Sequence, residues 1–237
     1  MTTTLLIATR NAHKVGEIRA ILSDRFHYLT LKDFPAAPAV EEDAPTFAGN
    51  ATKKAVELAR WIASAEVSIS ALDTGNHAFV LADDSGLEVD ALHGAPGVLS
   101  ARFAALEGQQ SGNAPDAQNN AKLLRLLKEI PLEKRTARFR CVIALTPVLS
   151  STAENASAVC AAEGCELQTE LFDGTCEGRI AFAPSGNGGF GYDPLFIPTG
   201  YDQSFAELGE ATKNLLSHRA KALFQLRKRL DLLAEGC

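Results

Sequence analysis

An apolar run, Ala78-Phe79-Val80-Leu81, leads through Ala82 onto two adjacent carboxylates, Asp83 and Asp84, followed by Ser85 and Gly86. The run reads as a buried strand. The acids then stand where that strand ends, which is where α/β proteins place their chemistry. Neighbouring strand side chains point to opposite faces, so the two acids are expected to differ in role. One faces a cleft while the other braces the turn through backbone hydrogen bonds. Asx-rich turns use the same residues merely to end strands, so the pair gains meaning only from its company. Downstream, Gly94, Pro96 and Gly97 predict a tight loop ahead of Ser100 and Arg102.

The totals narrow what that company can be. A net charge of −6 argues against a general nucleic-acid surface. It leaves room for a small polyanion held by local Lys and Arg with a divalent metal. No stretch approaches the roughly 18 apolar residues of a membrane span, and Met1 to Ile7 lacks the basic region of a signal peptide. The five cysteines are odd in number and lack the paired spacing of a zinc site. They read as reduced thiols, so a cytoplasmic location is expected. With 237 residues and no clean linker, the chain 1–237 reads as one domain, large enough for a single core or two lobes sharing one.

In chain order, residues 4–8 form a short strand that runs into Thr9-Arg10-Asn11-Ala12-His13-Lys14 and a helix over 12–23. Strand, polar turn and helix start make an anion site from free backbone N–H groups and the dipole; the same residues also suit a simple cap. A second strand is predicted over 28–31 and a loop over 34–40. Glu41, Glu42 and Asp43 then precede a helix over 47–65 that carries Lys53 and Lys54. Such acids favour a helix dipole and equally suit a hard cation. Residues 66–77 read as a surface insertion and 106–115 as a loop. Asp116 is expected to cap a helix through Glu129, with Leu123, Leu124 and Leu127 inward. A long strand covers 137–146, a loop 148–158, and strand-like pieces near 157–163, 167–172 and 178–182 suggest an antiparallel portion.

Gly186, Gly188 and Gly191 formally match a dinucleotide fingerprint, but Pro194 and Pro198 follow where that fingerprint needs a helix. The segment instead reads as a glycine loop presenting Phe190 and Tyr192 beside Asp193, a surface on which a nucleobase can stack and hydrogen-bond. A last helix is expected over 215–233, with Leu216, Ala220, Leu223, Leu226, Leu230 and Leu233 inward. Lys213, Ser217, His218 and Arg219 gather at its N-terminal end, against the dipole. An anionic ligand explains that arrangement; so does a solvated first turn.

Six blocks in order carry a family resemblance: Thr9-x-Asn11-x-x-Lys14, Asp83-Asp84-Ser85-Gly86, Gly94-Ala-Pro-Gly-Val98, Ser100-Ala-Arg-Phe103, Phe190-Gly-Tyr-Asp-Pro194 and Ser217-His218-Arg219. Together, over nearly the whole chain, they resemble the non-canonical purine nucleoside triphosphate pyrophosphatases. The resemblance implies an elongated α/β fold, a mixed sheet with flanking helices, and two lobes around a central substrate cleft. It also implies a homodimer and a Mg²⁺-dependent hydrolysis of ITP, dITP or XTP to the monophosphate and pyrophosphate. By position, Thr9, Arg10, Asn11, Ala12, His13 and Lys14 would grip the phosphates, with Lys54 as a further lysine. Asp84 would be the general base and, with Glu41 or Glu42, associate with the metal, while Ser85 contacts substrate. Phe190, Gly191, Tyr192 and Asp193 would receive the base, and Lys213, His218 and Arg219 would complete the pocket.

Two departures stand out. Gly49 replaces a glutamate usual in the family, removing one acid near the metal, and segments 64–77 and 148–177 are longer than the usual pattern. A nucleotide-binding sensor without turnover is the alternative reading.

Overall fold

The structure, a computed structural model, describes residues 3–64, 78–107, 112–148 and 168–235. Six strands form one sheet in the order β2-β1-β3-β4-β5-β6: β1 Thr4–Ile7, β2 His27–Thr30, β3 Ala78–Val89, β4 Thr136–Pro147, β5 Glu170–Ile180 and β6 Phe196–Pro198. β1 pairs in parallel with both β2 and β3, whereas β5 and β6 are antiparallel, so the expected mixed α/β sheet is present. Its helices are α1 Ala12–Leu22, α2 Phe47–Ser64, α3 Asp116–Leu126, α4 Phe205–Leu216 and α5 His218–Glu235. No described helix is long and apolar enough to cross a membrane. The expected strand near 157–163, the loop after Val148 and the insertion 66–77 lie outside the described residues.

The chain divides into two compact units. The first comprises residues 1–83, 143–172 and 227–237, and the second residues 84–142 and 173–226. In the first, Leu5, Leu6, Ile7, Ile18, Leu22, Val80 and Leu81 are fully or nearly fully buried. Each side chain of this kind contributes about 1.5–3 kcal/mol on leaving water. α2 lays a helical stripe of Phe47, Ala51, Lys54, Ala55, Leu58 and Ile62 inward, so one lysine lies on the buried face. The second unit's core joins Leu87, Val89, Leu123, Leu127, Phe139, Tyr192, Phe196 and Phe205.

Three expectations are corrected here. β3 does not end before Asp83 but runs on to Val89, so Asp-Asp-Ser-Gly is strand, not turn. The last helix begins at His218 rather than at 215, and a separate helix precedes it: Ser204 accepts from the Glu207 N–H, and the Glu207 carboxylate accepts from the Ser204 N–H, a capping box that opens α4. Asp116 is the first residue of α3 and makes no cap with its side chain, and the helix ends at Leu126.

Candidate functional site

The predicted site residues fall into two sets, one in each unit, joined by the Asp83–Asp84 peptide bond. In the first unit, β1 delivers the chain to Thr9, and Asn11 caps α1. Its side-chain oxygen accepts from the N–H groups of His13 (2.9 Å) and Lys14 (3.2 Å). Two donors expected to be open to an anion are therefore already used. Thr9 Oγ1 accepts from the Asn11 N–H at 3.2 Å, and Arg10, Asn11, Ala12 and His13 are exposed.

Lys14 turns inward and donates to Asp83, whose carboxylate is buried. Lys54, on the buried stripe of α2, donates to the Asp83 carbonyl at 2.8 Å and to Glu42 Oε1 at 3.1 Å. Lys53 points the other way, to exposed Asp43 at 2.7 Å. The Lys53 hydrogen bond holds the Asp43 carboxyl below its ordinary value. The one-residue offset between Lys53 and Lys54 on a 3.6-residue helix sorts a surface pair from a lysine on the buried face. Glu41 is exposed and Glu42 half-buried. At Gly49 an added Cβ would stand 2.7 Å from Ala44 Cβ, so the turn before α2 closes tightly on this glycine.

In the second unit, Asp84 is buried in β3, and strand alternation puts it on the face opposite Asp83. The guanidinium of Arg219 donates to Ser85 Oγ at 2.8 Å. Ser217 caps α5, its Oγ accepting from the Ala220 N–H at 3.1 Å, so His218 and Arg219 occupy the first turn as expected. Lys213 does not: it sits in the last turn of α4, the end a helix dipole favours for a cation. His218 is set by close packing. His218 stacks on Phe139 with ring centroids 4.7 Å apart. The His218 carbonyl would lie 2.1 Å from a Cβ at Gly174, so β5 needs glycine there for α5 to begin where it does.

Lys213 donates to Asp193, with both side chains almost fully buried, and its ammonium lies 4.5 Å from the centroid of the Phe190 ring. Arg219 lies 5.8 Å from the same ring. Such faces attract cations. Asp193 in turn accepts from the Phe190 N–H at 2.9 Å. Phe190 is part-exposed, whereas Tyr192 is buried and its hydroxyl donates to the Ser100 carbonyl at 2.9 Å. Burial pushes the Tyr192 phenol far above its ordinary value. Its ring therefore anchors the loop from inside the core. Sequence reasoning missed Asp116 and Asn120 of α3, which hold Gly191. Their i, i+4 spacing was the available signal.

Among the described residues, no group of three or more His, Cys, Asp or Glu is placed to hold a metal. Glu41 and Glu42 in the first unit and Asp84 in the second each carry hard carboxylate oxygens. Magnesium commonly takes only one or two carboxylates and completes its shell with water and substrate phosphates. The residue types fit that ion.

A model of the Ham1 family matches residues 5–229. The dITP/XTP pyrophosphatase of Desulforamulus reducens is 46% identical over 230 residues, covering 97% of this chain and 94% of the relative. That of Geobacter sulfurreducens is 45% identical over 229 residues, 96% of each chain. Among solved structures, a HAM1 protein from Coxiella burnetii aligns with a TM-score of 0.72 at 34% identity, covering 98% of this chain and 99% of its own. A nucleoside-triphosphatase, or dITP/XTP pyrophosphatase, from Mycobacterium abscessus aligns with a TM-score of 0.65 at 33% identity, covering 94% and 97%. Matched along nearly its full length by a family model, by relatives and by solved structures alike, the chain belongs to the Ham1 family.

Proposed function

We propose that this chain is a nucleoside triphosphate pyrophosphohydrolase that clears dITP, ITP and XTP from the nucleotide pool, releasing the monophosphate and pyrophosphate. The observation that carries the reading is the pair of adjacent buried acids in β3. Asp83 is neutralised by Lys14, while its neighbour Asp84 opens the unit that carries the Phe190 loop. The names of the relatives, dITP/XTP pyrophosphatases, support the same reaction.

In this reading Lys14 and Lys54 neutralise phosphate oxygens, and Thr9 and Asn11 orient them. A triphosphate must lose charge before a nucleophile reaches phosphorus. Magnesium, held by Asp84 and Glu41 or Glu42 with the phosphates, would supply further charge neutralisation. Asp84 takes the proton of the attacking water. The water oxygen bonds to phosphorus as the anhydride bond between the α- and β-phosphates breaks, giving the monophosphate and pyrophosphate. Phe190 stacks on the base. His218 and Arg219 donate to its 6-oxo group; a 6-amino purine cannot accept those bonds and leaves the donors unpaired. Guanine, which shares the 6-oxo group, is rejected at its 2-amino group by sterics or an unpaired contact. A homodimer and a cytoplasmic location go with the proposal. Exposed Leu126, Leu132 and Phe182 on the second unit offer apolar surface to a second copy.

The test is to incubate the protein with Mg²⁺ and dITP, XTP, ATP or GTP and to measure pyrophosphate. Turnover of dITP and XTP well above ATP and GTP is expected. Equal turnover of all four, or orthophosphate as product, overturns it. Binding of dITP without any turnover would favour a nucleotide sensor instead.

A further inference from the structure

The loop 184–194 packs on one side against α4, where the Gly188 N–H donates to the Ala206 carbonyl at 3.2 Å. On its other side lies a cavity of about 450 Å³ lined by α3 and by Gly186 to Gly191. Gly191 itself is not wedged: a Cβ added there would meet nothing within 4 Å. Packing therefore does not fix its place, and hydrogen bonds must.

The Gly191 N–H donates to Asp116 Oδ2 at 2.6 Å, and Asn120 Nδ2 donates to the Gly191 carbonyl at 3.0 Å. The first group belongs to the Phe190–Gly191 peptide plane and the second to the Gly191–Tyr192 plane. Each plane is rigid, so fixing both fixes the backbone dihedrals between them. The preceding plane is held as well, through the Phe190 N–H on Asp193. Three consecutive peptide planes are thus pinned by three side chains, with Tyr192 rooted in the core just beyond. Asp116 and Asn120 lie one turn apart on α3 and reach the same residue from one helix face.

We propose that Asp116 and Asn120 are positioning residues that hold the Gly191 peptide groups and so set the angle of the Phe190 ring. Neither needs to touch the substrate; they act through Phe190. The inference rests on the reading of Phe190 as the platform for a purine base. A misplaced ring loses stacking and alignment of the 6-oxo group with its donors, so discrimination among purines suffers before the phosphate chemistry does.

The test compares wild type with Asp116→Ala, Asp116→Asn and Asn120→Ala in three measurements. These are steady-state hydrolysis of dITP and dATP, calorimetric binding of dITP with the metal chelated, and hydrogen exchange of the peptide spanning 186–193. For Asp116→Ala and Asn120→Ala, KM for dITP should rise about tenfold, the scale of one lost charge-assisted or buried hydrogen bond. Their kcat should stay within about twofold, the dITP-to-dATP preference should shrink, and loop exchange should quicken. Asp116→Asn keeps an oxygen for the Gly191 N–H and should stay near wild type in all three.

An unchanged KM and preference in both alanine variants overturns the proposal, as does a loss confined to kcat. So does failure of Asp116→Asn to rescue, or a fall in thermal stability that accounts for the whole effect. A wild type that binds dITP without hydrolysing it sinks the hydrolase reading alone, because weakened binding in the alanine variants would still support the positioning role. A wild type that binds no purine triphosphate ends both.

Discussion

The two sets of site residues use the same ion pair in different ways. In the first unit, Lys14 keeps 15% of its side chain exposed beside a buried Asp83, and Lys54 holds a Glu42 that is 36% exposed. In the second, Lys213 and Asp193 are exposed by only 3% and 2%. A lysine with an open flank can take up a phosphate oxygen there while it keeps its carboxylate. A sealed pair cannot, because separating it strands a charge without water. The first unit's lysines are thus suited to grip and release a ligand, and Lys213 is suited to brace Asp193 and the Phe190 turn. Burial thus separates two kinds of lysine pair.

That contrast can be broken in four ways. The largest effect belongs to chemistry: Asp84→Asn should lower kcat by about 10²- to 10⁴-fold, the range of a lost general base, while dITP binding measured calorimetrically is kept. Near-wild-type turnover would remove Asp84 from that role. Next, Lys213→Ala should cost about 3–5 kcal/mol in urea unfolding, since Asp193 is left buried and uncompensated. A change below about 1 kcal/mol would mean that the pair is not the brace.

Lys14→Ala should destabilise less, about 1–3 kcal/mol, but should raise KM for every triphosphate alike. If KM instead rises for one purine only, the division between phosphate grip and base reading fails. The smallest effect tests the frame around the loop. The Ser204 backbone N–H holds the Glu207 carboxyl below its ordinary value. A group depressed by folding stabilises the protein above its unfolded value, about pH 4.3, and loses that contribution as pH falls through the lower folded one. Glu207→Gln should therefore lower Tm slightly at pH 7, with the gap to wild type closing in acid. A gap that widens in acid would reverse the sign.

Local pattern carried much of this molecule. The apolar runs 4–8 and 78–81 located β1 and the start of β3, and helical spacing found α1, α2 and α3 within a few residues. The six spaced motifs pointed to the right family because each is short-range chemistry written in residue type. What the pattern lost had tertiary causes. Asp-Asp-Ser-Gly has turn composition, yet β3 carries it as strand to Val89, since neighbouring strands can override a weak local preference. α4 was missed because Gly209, at φ +77°, breaks its periodicity midway.

Sequence by itself thus determined which side chains were available: paired acids, lysines at set spacings, an aromatic on a glycine loop, and a capped basic helix start. Residue type and helical or strand period fix those locally. Only the tertiary structure decided how each is employed. Burial sealed Lys213 against Asp193 and rooted Tyr192 through Ser100. Contacts across 71 and 75 positions of chain brought Asn120 and Asp116 to Gly191. Desolvation and long-range partners exist only once the chain has closed on itself, and no period in the sequence encodes them.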